Sequence, residues 1–113
     1  MPKPVMKKDP MYQLLREGKI EEFNSRRSKD STLDFTNCDF RALDLQGLDA
    51  DGLDFSDAYF RLTDLRGVDF SHAKMNGASI HDAKVSGACF PLELSSDEIT
   101  MSLIRGTRMR YGC

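Results

Sequence analysis

The sequence predicts an all-β solenoid of about three four-sided coils, closed by a short helical cap at each end. Three observations carry that expectation. Apolar residues recur every fifth position from Leu33 to Leu92; the spacing of five fits neither the 3.6 of a helix nor the 2 of a plain strand; and the flanks carry helix start and stop signals. With 113 residues the chain has room for one small domain.

The period is read from two positions in each pentad. The central one is filled by Phe35, Phe40, Leu45, Ala50, Phe55, Phe60, Leu65, Phe70, Met75, Ile80, Val85 and Phe90. Two residues earlier stand Leu33, Cys38, Leu43, Leu48, Leu53, Ala58, Thr63, Val68, Ala73, Ala78, Ala83 and Ala88. Between the two lies Asp at positions 34, 39, 44, 49, 54, 64 and 69, and glycines at 47, 52, 67, 77 and 87 close pentads. Two inward side chains followed by a turn make one flat side, and four sides close a coil of twenty residues. Three coils stacked at the strand spacing of about 4.8 Å rise only about 14 Å.

The units Leu33-Asp34-Phe35-Thr36-Asn37, Leu53-Asp54-Phe55-Ser56-Asp57 and Val68-Asp69-Phe70-Ser71-His72 resemble the A(D/N)LXX unit of the pentapeptide-repeat family. The resemblance implies a right-handed quadrilateral β-helix with the central Phe or Leu filling the interior. Leu in place of Ala at the second inward position of the early coils departs from the family pattern. Folding at twenty residues sets Phe35, Phe55 and Met75 in one interior column, then Phe40, Phe60 and Ile80, then Leu45, Leu65 and Val85, then Ala50, Phe70 and Phe90. Leu48 beside the small Ala50 keeps the interior volume roughly constant.

The division that follows is a helical N-terminal cap over 1–32, the repeat over 33–92, and a C-terminal helical cap and tail over 93–113. Asp9-Pro10 is a helix start, and Leu14, Leu15, Ile20 and Phe23 form an apolar stripe over two short helices broken near Gly18. Ser95 with Glu98 reads as a capping box before the apolar Ile99, Leu103 and Ile104, and Gly106 stops that helix. The tail Thr107-Arg108-Met109-Arg110-Tyr111 alternates, either folding back as a terminal strand or pairing with a second chain.

No catalytic, cofactor-binding or metal-binding residues are expected. His72 and His81 lack zinc-ligand spacing and are read as outward surface groups, and no GxGxxG, Walker or GxSxG element occurs. Cys38 falls on an inward position, Cys89 on an outward one, and Cys113 is terminal; with no CxxC pair they fit a reducing compartment. The seven aspartates are read as turn acceptors, and the early coils are acidic. Outward positions stack Arg41, Arg61 and His81 in one column beside Tyr59, residue types that anchor interfaces. That face and the tail residues Arg108, Met109, Arg110 and Tyr111 are the expected partner-binding surface.

The expected function is therefore a non-enzymatic protein–protein interaction or scaffold module built on the β-helix. The alternative that the family implies is a DNA-mimic modulator of a type II topoisomerase, DNA gyrase, which the short rod disfavours. The expected partner is another protein, or a second copy through the C-terminal tail or a cap. With a net charge of −2, no long apolar run and no leader-like start, neither direct nucleic-acid binding nor a membrane is expected, and the location is read as cytoplasmic.

Overall fold

The computed structural model describes residues 9–27 and 33–112; residues 1–8 and 28–32 of the expected N-terminal cap, and Cys113, lie outside them. Helix α1 spans Pro10–Arg16. The Asp9 carboxylate accepts from the Met11 N–H at 2.8 Å, and Pro10 sits where no helical donor is needed. Gly18, at φ +75°, turns the chain into α2, Ile20–Arg26. The two helices lay Tyr12, Leu15 and Phe23, all fully buried, over the start of the repeat. There Tyr12 packs edge-on against Phe40 at 5.4 Å, and Phe23 meets Phe35 at 6.0 Å. The Tyr12 hydroxyl donates to the Asp39 carbonyl at 2.6 Å, and burial pushes its pKa up. Just past α2, buried Arg27 donates to the carbonyls of Asp49 and Asp51, at 2.7 and 2.6 Å, and ties the cap to the fourth side.

From Leu33 to Leu92 the backbone runs as a succession of tight turns. In each pentad with Asp between the two inward residues, the Asp carboxylate accepts the N–H two residues on: Thr36, Arg41, Gln46, Asp51, Ser56, Arg66 and Ser71 are the donors. In most pentads, though not at His72, the last turn residue takes the left-handed conformation. Glycine fills many of these positions, but Ala42 and Leu62 occupy it too, at φ 60° and 61°. Residues twenty apart meet in parallel single-residue bridges, Asp34 with Asp54 and Asp54 with Lys74 among them. Phe35 N–H donates to Asp54 C=O at 2.9 Å, and Phe55 N–H to Lys74 C=O at 2.8 Å. Inside, Phe35 stacks on Phe55 at 5.7 Å, Phe40 on Phe60 at 5.3 Å and Phe70 on Phe90 at 6.1 Å. Of the twelve central residues, ten are buried, while Val85 and Phe90 are partly exposed.

The expected all-β class is corrected here. Among the described residues no β-strand and no sheet forms, and the only extended regular elements are three α-helices. The reason lies in the pentad itself. Two of five residues are spent on the turn, so a single bridged residue is left between bends, too little for a strand. With no sheet wall, a right-handed quadrilateral β-helix is not the class of this structure. Both functions as read from a β-helix wall, a scaffold surface presented by that wall and a gyrase-directed DNA mimic, are withdrawn with it. The carboxylates that would have imitated phosphates are engaged instead in turns, and Asp39 and Asp64 are each gripped by an arginine, Arg41 and Arg66, at 2.7 Å.

Helix α3, Ser96–Arg105, starts at Ser95, whose hydroxyl accepts from Glu98 N–H, and stops at Gly106 at φ +74°. It lies against the second side, where Ser102 Oγ accepts from Ile80 N–H at 2.9 Å and Leu103 C=O from Asp82 N–H at 3.1 Å. The tail then returns along the first side. Gly77 N–H donates to Met109 C=O at 2.6 Å and Met109 N–H to Ala78 C=O at 2.8 Å, which leaves the Met109 side chain wholly buried.

Candidate functional site

Where α3 ends, its Gly106 cap and the returning Arg108 meet the second side of the repeat and enclose a cleft of about 280 Å³. Its lining is Arg41, Tyr59, Arg61, Ser79, His81, Gly106 and Arg108. The twenty-residue register sets the floor: Arg61 C=O accepts from Ala42 N–H at 2.8 Å and His81 C=O from Leu62 N–H at 3.0 Å, so Arg41, Arg61 and His81 follow one another in a column. Beside them Asp39, Tyr59 and Ser79 are joined by parallel bridges.

The three arginines are held differently. Arg41 grips Asp39 through Nε and Nη2, at 2.9 and 2.7 Å, and this hydrogen-bonded pairing holds the Asp39 carboxyl below the usual carboxylate range. Arg108, only 11% exposed, reaches Asp57 at 3.1 Å and the Gly77 C=O at 3.1 Å, and also donates to the Tyr59 hydroxyl. Its guanidinium carbon lies 5.0 Å from the Tyr59 ring centre, a cation–π contact, and its buried Nε finds no partner among the described residues. Arg61 is different again. It is exposed, and its guanidinium makes no ion pair or hydrogen bond among the described residues. His81 is half covered: its ring lies against Gly106, where an added Cβ would come within 3.1 Å, and its Nε2 is 3.6 Å from Asp82. Thus two arginines are fixed as walls, and an unpaired one stands between Arg41 and His81.

The expected surface residues fall into two groups. Arg41, Tyr59, Arg61, His81 and Arg108 come together in the cleft. Met109 is core; Tyr111 is partly buried, its hydroxyl accepting from Met75 N–H at 2.9 Å; and Arg110, whose N–H donates to the Glu98 carboxylate, is outside the lining. The reading of His81 as a plain surface group is corrected by the Gly106 contact, whereas His72 is well exposed. Sequence reasoning sets Ser79 in the outward column of Asp39 and Tyr59 without counting it a site residue, and it missed Gly106 as a lining residue. Position 79 was readable from the register, since it is twenty past Tyr59; Gly106 was readable only as a helix stop.

A larger hollow, about 650 Å³, lies between the start of α2 and Asp44 and Gln46. It mixes Lys19 with Glu21, Glu22 and Asp44, whereas the smaller cleft gathers three arginines and a histidine, and that cleft is the candidate. Among the described residues no group of three or more His, Cys, Asp or Glu could hold a metal ion, and no helix is long and apolar enough to cross a membrane.

Comparison with known proteins returns one finding. No curated protein and no solved structure matches the chain. A family model for pentapeptide repeats matches residues 54–90 in eight copies, the part of the chain that contributes Tyr59, Arg61, Ser79 and His81 to the cleft. Residues 54–90 of this chain are a pentapeptide-repeat segment.

Proposed function

We propose that the chain acts by binding, without turnover, and that it holds a partner protein by taking an acidic side chain of that partner into the basic cleft. The observation that carries this reading is the unpaired Arg61 guanidinium between Arg41 and His81, beside the Tyr59–Arg108 wall. A carboxylate entering there gains a charge-assisted hydrogen bond from Arg61 and meets walls whose ordering cost has already been met by Asp39 and Asp57. Three cysteines without a CxxC pair suit a cytoplasmic setting for this work. As for association with a second copy, through the tail or a cap, the tail packs its Met109 inside the molecule, while the α3 cap exposes Met101 and Ile104.

The test is fluorescence anisotropy with a labelled hexaglutamate peptide. Binding should weaken with salt. It should fall about tenfold or more in Arg61→Gln, the loss of one hydrogen bond to a charged group, and stay unchanged in Arg105→Gln on α3. Equal affinity for the wild type and Arg61→Gln overturns the reading.

A further inference from the structure

The far end of the third twenty-residue circuit is finished on two of its four sides. On the first two, this chain supplies the acceptors: Met75 N–H donates to the Tyr111 hydroxyl, Gly77 N–H to Met109 C=O, Ile80 N–H to Ser102 Oγ and Asp82 N–H to Leu103 C=O. On the third and fourth sides, the N–H groups of Val85, Gly87 and Phe90 have no hydrogen-bond partner among the described residues. Their equivalents one circuit earlier, Leu65, Gly67 and Phe70, donate to the carbonyls of Lys84, Ser86 and Cys89 at 2.8, 3.0 and 2.7 Å. The side chains match the backbone. Thr63, Leu65, Val68 and Phe70 are buried, while Ala83, Val85, Ala88 and Phe90 above them are partly exposed. Leu92, two residues past Phe90, is 97% exposed, and Ile104, next to the Leu103 that closes the second side, is 67% exposed.

We propose that this open half-end takes a segment of a partner protein, which follows the turns of the repeat as one more rung and carries an acidic residue followed directly by a large apolar one. The free donors recur at the spacing that Leu65, Gly67 and Phe70 satisfy with Lys84, Ser86 and Cys89 one circuit earlier, and the floor beneath them is apolar. Charge selects the residue before the apolar one. The outward column on the third side runs Asp44, Asp64, Lys84, so the next position faces a cation. The order is the one this chain uses in Asp64-Leu65, where Asp64 pairs its N–H and C=O with Leu43 and Leu45 of the circuit before and Leu65 N–H pairs with Lys84 of the circuit after, and in Asp69-Phe70, where Phe70 N–H pairs with Cys89 of the circuit after. The tail is an internal precedent for the mode: Met109 pairs its backbone with Gly77 and Ala78 and turns its side chain inward. The half-end shares no residue with the lining of the basic cleft.

The probe is a synthetic peptide copying residues 62–70, Leu-Thr-Asp-Leu-Arg-Gly-Val-Asp-Phe. Added to the full chain, it should slow amide exchange at Val85, Gly87 and Phe90 by about tenfold or more and leave Leu65, Gly67 and Phe70 unchanged. Lys84→Glu, an exposed change, should weaken the peptide severalfold, and a peptide with both Asp changed to Lys should recover binding to that variant. Three results overturn the proposal. One is unaltered exchange at the three amides in millimolar peptide; another is equal binding of both peptides to the wild type; the third is protection that rises with protein concentration alone, which gives the face to a second copy.

Discussion

Leu62 shows how the repeat constrains single residues. It sits at φ +61° in a turn position where the equivalent residue one circuit later is Asp82 at φ 56°, and its side chain is 57% exposed, so nothing compensates the left-handed backbone. Leu62→Gly should therefore raise stability by about 0.5–1 kcal/mol, the relief of left-handed strain less the added freedom of the unfolded glycine, as measured by urea unfolding. The aspartates supply a second prediction at this scale. Arg41 holds the Asp39 carboxyl low, Arg66 does so for Asp64, and hydrogen bonds from Ser71 do so for Asp69. A depressed folded pKa means that the unfolded chain binds protons first on acidification. The stabilisation is then complete above the usual carboxylate value and is lost as pH falls through the lower folded values. The melting temperature should be level from neutrality to about pH 5 and fall steeply toward pH 3, with a smaller acid-induced drop in Asp39→Asn.

At the scale of elements, α3 does two jobs through its ends. Its C-terminal Gly106 needs the left-handed conformation and also lies against the His81 ring. Gly106→Ala should cost about 1–2 kcal/mol from the backbone, seen as a lower urea midpoint, and should displace His81, seen as a shift of its ring protons by NMR. The elements also show where sequence reading succeeds and where it stops. Asp9-Pro10, Gly18, Ser95 with Glu98, and Gly106 are local signals, and every helix end but the last of α2 falls on or beside them because caps are decided by a few neighbouring residues. The class assignment went astray for an equally local reason. Periodicity reports which side chains face inward and how many residues close a coil, but not whether the backbone between bends is long enough for a strand, and the turn in every pentad leaves only isolated bridges. The column Arg41, Arg61, His81 was legible because a twenty-residue offset is arithmetic. Arg108 against Tyr59 was not, since it depends on the path of the tail after α3.

Across the whole molecule, one buried side chain joins the tail to the core. Met109 sits with no exposure between the rung at Gly77 and Ala78 and the residues around it, and Arg108 beside it forms the cleft wall. Met109→Ala should cost about 2–5 kcal/mol in urea unfolding and weaken acidic-peptide binding at the same time. A loss of stability with unchanged binding would separate the tail from the site. The account as a whole stands on the difference among the cleft arginines, two fixed by Asp39 and Asp57 and one unpaired. Arginine side-chain NMR during a hexaglutamate titration reads that difference directly. Arg61 Nε–H should move first and furthest, with Arg41 and Arg108 shifting little; equal movement at all arginines, or movement confined to Arg105 and Arg110, would contradict it.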